Sequence, residues 1–120
     1  MRKILVVDDA VTMRQMVSFT LRRGGFESIE AENGQDALDK LQNNTVEMII
    51  TDLNMPVMDG ITFIQNVRKL PHMKSKPILM LTTEGQASKK DQGKAVGASG
   101  WVVKPFDPEK LLQTIAKVLP

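Results

Sequence analysis

Five side chains spread along the 120-residue sequence are of types that could do chemistry together: Asp8, Asp9, Asp52, Thr82 and Lys104. All but Asp9 directly follow a short β-like run: Lys3–Val7 before Asp8, Met48–Thr51 before Asp52, Ile78–Leu81 before Thr82 and Trp101–Val103 before Lys104. If these runs are neighbouring strands, three carboxylates, a hydroxyl and an ammonium converge on one sheet edge. Carboxylates held close repel: at about 4 Å a pair costs on the order of 4 kcal/mol at an effective dielectric of about 20. A cation has to offset that. An all-oxygen donor set without His or Cys suits Mg²⁺, with Mn²⁺ as an alternative. Lys104 supplies a second positive charge. A divalent cation, an ammonium and a small hydroxyl around a carboxylate make a phosphate-shaped environment, and the central carboxylate could be a nucleophile that becomes an acyl phosphate.

Taken singly, each residue has a plainer reading. Asp-Asp is a common solvated turn, Asp52 could cap a helix, and Asp59-Gly60 reads most simply as a turn. Thr82 ends a strand in an ordinary way, and Lys104 before a proline could be a surface lysine. Met13, Met16 and Met55 read as core filler, Trp101 as half-buried packing, and His72 as a polar-loop residue without a ligand role. What sets the group apart is that its members end strands on the same side.

The elements that would position them follow from periodicity. Strands are expected at Lys3–Val7, Ser28–Ala31, Met48–Thr51, Ile78–Leu81 and Trp101–Val103. The first, third and fourth are almost unbroken apolar runs, the pattern of strands buried on both faces of a parallel sheet. The second is weak and is expected at an edge. Between them lie helices. Met13, Met16, Val17, Thr20 and Leu21 make one stripe, with Thr12 and Gln15 at capping-box spacing and Gly24-Gly25 as the stop. Asn33 caps a second helix with Ala37, Leu38 and Leu41 inward. Gly60 precedes a third with Ile61, Ile64 and Val67 inward. A polar fourth helix covers Ser88–Val96, with Gly93 at its centre at a cost of roughly 1 kcal/mol relative to alanine. Asp107 and Pro108 open a fifth, with Leu111, Leu112, Ile115 and Leu119 inward. The alternation predicts an α/β fold: a doubly wound, five-stranded parallel sheet of order 2-1-3-4-5, flavodoxin-like, with ligands binding outside the strand C-termini at the switch point between strands one and three.

Composition narrows the function classes. At 42% hydrophobic and 25% charged residues the chain reads as globular, and 120 residues are expected to form one domain, 1–120. No apolar run approaches the roughly 20 residues of a membrane helix. Met1-Arg2-Lys3 resembles the start of a signal peptide, but Asp8 and Asp9 cut the apolar run short. The absence of cysteine excludes disulfides, thiolate metal sites and a cysteine nucleophile, and a cytoplasmic location is expected. Residues 1–60 carry six Lys/Arg and ten Asp/Glu, net −4, whereas residues 61–120 carry ten and four, net +6. With few aromatics to stack and no dense basic run, the basic half fits ordinary solvated faces, or one face that meets an acidic protein partner, better than nucleic acid.

Over its whole length the chain resembles bacterial two-component response-regulator receiver domains, the single-domain chemotaxis regulators above all. The resemblance is carried by Ile4-Leu5-Val6-Val7-Asp8-Asp9, Thr12-Met13-Arg14, Asp52-Leu53-Asn54-Met55-Pro56-Val57-Met58-Asp59-Gly60, Leu81-Thr82-Thr83-Glu84, and the stretch from Gly97 through Trp101 to Lys104-Pro105-Phe106. It implies that Asp52 is the phosphoacceptor for a sensor histidine kinase of the chemotaxis type. It implies that Asp9, Asp52 and the Asn54 backbone carbonyl ligate Mg²⁺, with Asp8 acting through water. Thr82 and Lys104 would contact the phosphoryl group, Thr82 moving toward it and opening space for residue 101 to swing inward, and Lys104-Pro105 would be cis. Trp101 falls at the switch-aromatic position, where tyrosine, phenylalanine or histidine is more usual. Asn54 and Glu84 fall where the family tunes the approach of the attacking water, and a phosphatase could act there too. The output face would be helix 4, strand 5 and helix 5, read by a protein such as the flagellar motor switch, with no output domain of its own after residue 120. The alternatives are a phosphate sink or relay intermediate, an FMN-binding flavodoxin-like protein, and a Mg²⁺-dependent phosphohydrolase. The loop after strand one lacks a Ser/Thr/Gly-rich phosphate cradle, which disfavours FMN. Asp8-Asp9-Ala10 lacks a second carboxylate two residues after a nucleophile, which disfavours the hydrolase.

Overall fold

The computed structural model describes residues 2–119. Five strands, β1 (Lys3–Val7), β2 (Glu27–Ala31), β3 (Met48–Thr51), β4 (Ile78–Thr82) and β5 (Gly100–Val103), alternate with α1 (Val11–Arg23), α2 (Gly34–Asn43), α3 (Gly60–Arg68), α4 (Ala87–Ala95) and α5 (Pro108–Val118). The sheet is parallel in the order β2-β1-β3-β4-β5, as the apolar runs predict. The central strands are apolar throughout because both faces are covered. Leu5, Val7 and Ile49 point into a core closed by α2 and α3. Ile4, Val6, Met48, Ile50, Leu79 and Leu81 point into a second core closed by Val17 and Leu21 of α1 and by Leu111 and Ile115 of α5. β2 lies at an edge, as its weaker pattern predicts.

The helix ends follow local chemistry. Asn33 accepts a hydrogen bond from the Asp36 N–H, and Asp107 accepts from Glu109 and Lys110. Gly25 (φ 87°) and Gly97 (φ 108°) take the left-handed position after α1 and α4. Phe26 N–H then donates to Leu21 and Ala98 N–H to Gly93, closing each helix with a six-to-one bond.

Three expectations are corrected. The Thr12–Gln15 capping box does not form: the cap position is Ala10, without a side-chain bond. The Asp8 carboxylate instead accepts from the Ala10 N–H at 2.9 Å, so the turn after β1 starts the helix before Thr12. Met16 is not on the inward stripe; it is 51% exposed, while Val17, Thr20 and Leu21 are buried as expected and Ser18 joins them. Asp59 is the cap of α3, accepting from the Thr62 N–H at 2.8 Å, rather than part of a free turn.

The loop from β3 to α3 is tight. The Gly60 N–H donates to the Leu53 carbonyl at 2.7 Å, and a Cβ on Gly60 would collide with the Asp52 carbonyl oxygen. Upstream, the Met58 N–H donates to the Pro56 carbonyl at 2.7 Å. Val57, at the centre of that three-residue turn, has φ 72° and is 79% exposed. A β-branched residue is strained there, by roughly 1–2 kcal/mol, and nothing buried compensates it. Val57→Asn is expected to stabilise the fold by about 1 kcal/mol, because asparagine tolerates positive φ. A urea unfolding curve checks this: the midpoint should rise at constant slope, and a lower midpoint would mean that the valine side chain itself holds the turn.

Candidate functional site

The site is built by strand register. Val7 of β1 lies beside Thr51 of β3, so the next residues, Asp8 and Asp52, emerge side by side at the switch point. The Asp52 N–H donates to the Val7 carbonyl at 3.0 Å, and the Asp8 N–H to the Ala31 carbonyl at 3.1 Å. On the other side Thr82 of β4 pairs with Val103 of β5. The Lys104 N–H continues that ladder to the Thr82 carbonyl at 2.8 Å, which aims the lysine back across the strand ends. Its peptide to Pro105 is cis.

The Lys104 Nζ donates to Asp8 Oδ2 at 2.6 Å and to Asp52 Oδ2 at 3.1 Å. All three side chains are largely out of solvent, at 8, 5 and 11% exposure. The second oxygen of Asp52 accepts from the Leu53 N–H at 2.7 Å, so both carboxylate oxygens are oriented. Burial by itself would lower the Lys104 pKa, but hydrogen bonds to and the charges of Asp8 and Asp52 outweigh it and hold the pKa above 10.5. Asp9 is exposed on the rim, and one oxygen each from Asp8, Asp9 and Asp52 lie within 4.8 Å of one another. One ammonium cannot neutralise three carboxylates, and oxygens at that spacing suit a single hard divalent cation.

Around this centre the sequence-predicted residues are distributed unequally. Thr82 is fully buried, and its Oγ1 accepts from the Glu84 N–H at 3.3 Å. Glu84 is half-buried, with its carboxylate accepting from the Gln86 N–H at 3.0 Å, inside its own loop. Asn54 is exposed on the opposite rim. Trp101 is half-buried and donates its indole N–H to the Glu84 carbonyl at 2.9 Å.

Two residues matter more than their sequence pattern indicates. Arg14 donates to the Asp8 backbone carbonyl at 2.7 Å and pairs with Glu30 of β2 at 3.1 Å, bracing the acidic loop from behind. Its signals were a basic residue one turn into the helix that follows Asp8-Asp9 and a place in the Thr12-Met13-Arg14 stretch, neither of which shows this brace. Arg68 donates to the carbonyls of Met73, Lys74, Lys76 and Gly97, tying the end of α3 to the segments on either side of β4 and α4. No local pattern marks such a clamp.

Residues 4–116 match the response regulator receiver domain family. The chain belongs to that family. The receiver is 41% identical over 119 residues to chemotaxis protein CheY1 of Helicobacter pylori, covering 98% of this chain and 96% of that protein. It is 40% identical over 119 residues to a Campylobacter jejuni chemotaxis protein CheY homolog, covering 98% and 92%. The structure of Vibrio cholerae chemotaxis protein CheY4 superposes with a TM-score of 0.96 at 53% identity, covering 99% of each chain. The chain is thus a CheY-like response regulator of two-component signalling, a signalling protein rather than a classical enzyme. Among the described residues no helix is long and apolar enough to cross a membrane.

Lys104 couples the receiver's stability to alkaline pH. Its folded pKa is raised, so its contribution is complete below the unfolded value of 10.5 and is lost as pH rises through the folded value. In metal-free protein, Lys104→Met should cost about 3 kcal/mol at neutral pH by stranding two buried carboxylates. The gap between wild type and variant should close above pH 10.5. Unfolding curves at several pH values check it, and a gap that stays constant would show that the ammonium does not hold the pair.

Proposed function

We propose that the chain is a phosphorylation-activated chemotaxis switch whose phosphoacceptor is Asp52. The observation that carries this reading is the buried bridge from Lys104 to both Asp8 and Asp52, with Asp9 beside it. A carboxylate oxygen of Asp52 attacks the phosphorus of a phosphohistidine on a histidine kinase. The new O–P bond forms as the P–N bond breaks, and the leaving imidazole nitrogen takes up a proton. Asp9, Asp52 and the backbone carbonyl of Asn54, with Asp8 through water, would hold Mg²⁺, which supplies charge neutralisation for the phosphoryl oxygens when bound. The all-oxygen donor set fits that ion. Lys104, bonded to Asp52, neutralises a second part of the charge.

Thr82 is the residue that responds. Among the described residues its buried hydroxyl is held only by a long bond from the Glu84 N–H, and a phosphoryl oxygen offers a charged acceptor instead. A charge-assisted hydrogen bond is worth about 1.5–3 kcal/mol, enough to shift a two-state population roughly ten- to a hundredfold. Asn54 and Glu84 flank the approach to the acyl phosphate, where they tune attack by water and access by a phosphatase. The output surface is α4, β5 and α5. Lys90, Lys94, Lys110 and Lys117 are exposed on it and Lys89 is half-buried. A groove of about 310 Å³ opens there between α4 and β5, with Lys90, Lys94 and Trp101 in its lining. These features suit an acidic or amphipathic segment of a target such as the flagellar motor switch.

Incubation with Mg²⁺ and a small acyl phosphate is expected to add one phosphoryl group by intact-mass spectrometry, and none to Asp52→Asn. Undiminished, Mg²⁺-dependent labelling of that variant would sink the assignment.

A further inference from the structure

Trp101 is the only tryptophan in the chain, and its indole is held from three sides. The N–H donates to the Glu84 carbonyl at 2.9 Å. The ring packs against the core that α2 and α3 close, beside Val96 and Ala98. Its outer edge lies on α4 at Gly93, where a Cβ would sit 2.9 Å from Cζ3 and 3.4 Å from Cε3. Real Cβ contacts are essentially never as short as the first, so any other residue at 93 displaces the ring or the helix. Gly93 is also the one buried residue of α4. A glycine in mid-helix is unfavourable by itself, and here it is the vacancy that the indole fills.

The position of the ring has a mechanical consequence. Glu84 is gripped at both its peptide groups: the N–H by Thr82 Oγ1 and the carbonyl by the indole. The ring already packs against the core with its N–H satisfied, so moving further inward would break its bond to Glu84. Turning outward would strip the Glu84 carbonyl of its partner and expose the apolar face of the indole. We propose that Trp101 is docked on Gly93 before phosphorylation. It then serves as a fixed bearing: movement of Thr82 is passed through the Glu84 N–H to the loop before α4, and the loop and helix pivot about the indole–Glu84 carbonyl bond while the ring stays in place. Gly93 and Trp101 are positioning residues in this scheme. The inference rests on the reading of Asp52 as phosphoacceptor only for the movement of Thr82; the docked ring is independent of it.

The test is acrylamide quenching of Trp101 fluorescence in the full chain, with and without beryllofluoride and Mg²⁺, occupancy of Asp52 being followed separately by the bound-fluoride resonance. The quenching constant is expected to be the same in both states, and to rise about twofold in Gly93→Ala as the ring is displaced into solvent. Slow hydrogen exchange of the indole N–H in the unmutated chain, before and after activation, gives a second readout that needs no variant. A clear fall in quenching on activation would overturn the proposal, because the ring would then be moving inward. So would a Gly93→Ala protein in which neither the quenching constant nor the backbone hydrogen exchange of α4 departs from wild type, or a fast-exchanging indole N–H in the resting chain. If beryllofluoride fails to occupy Asp52, the phosphoacceptor reading fails instead, and the docked ring still stands or falls on Gly93→Ala and the exchange rate.

Discussion

Two carboxylates buried at adjacent strand ends with a single ammonium between them are the constraint on which the rest of this molecule depends. Asp8 and Asp52 have little contact with water, and isolated charges in that position would cost several kcal/mol each. Lys104 makes the arrangement tolerable, and it reaches them because β5 runs parallel to β4 and carries the lysine one residue past Val103. Arg14 fixes the Asp8 backbone from the far side, and the Leu53 N–H orients Asp52. The balance is deliberately incomplete: three carboxylates lie within reach of one another, and the lysine answers two of them. Such a site is stable when empty of phosphate and still gains from added positive charge.

The surroundings divide into stiff and loose parts. The loop carrying Asp52 is locked by the close approach of Gly60, the Asp59 cap and the three-residue turn at Val57. The loop beyond Thr82 is held by bonds centred on Glu84, and α4 beyond it buries only Gly93. Elements with few buried contacts open most easily. Under the proposed phosphorylation of Asp52, a charge change there would meet the tighter loop on the β3 side and the sparsely buried α4 on the β4 side.

Much of this was legible in the sequence because the strong signals are local. Apolar runs such as Ile4–Val7 and Ile78–Leu81 mark doubly covered strands, and the polar residue after each run falls at the strand's C-terminal edge whatever the loops do. Sheet order then brought Asp8, Asp52, Thr82 and Lys104 together. The misses have tertiary causes. Thr12 has the spacing of a cap, but the Asp8 side chain had already turned the chain at Ala10. Met16 has helical spacing, yet the buried face is centred on Val17 and Leu21 and takes in Ser18 rather than Met16. Gly93 reads as a weak point in a helix until the indole across from it is seen. The four carbonyls that Arg68 collects come from two segments far apart in sequence and leave no periodic trace.

The central claim is that the excess carboxylate charge at the strand ends is a site for a hard divalent cation. The most direct measurement is thermal unfolding of the chelator-treated protein with and without millimolar Mg²⁺, for wild type and for Asp9→Ala. A ligand that binds only the native state stabilises by mass action, by about 2.7 kcal/mol at a hundred times its Kd. The account predicts a concentration-dependent rise in the Tm of wild type and none for Asp9→Ala. A wild-type Tm that does not respond to Mg²⁺ would contradict it.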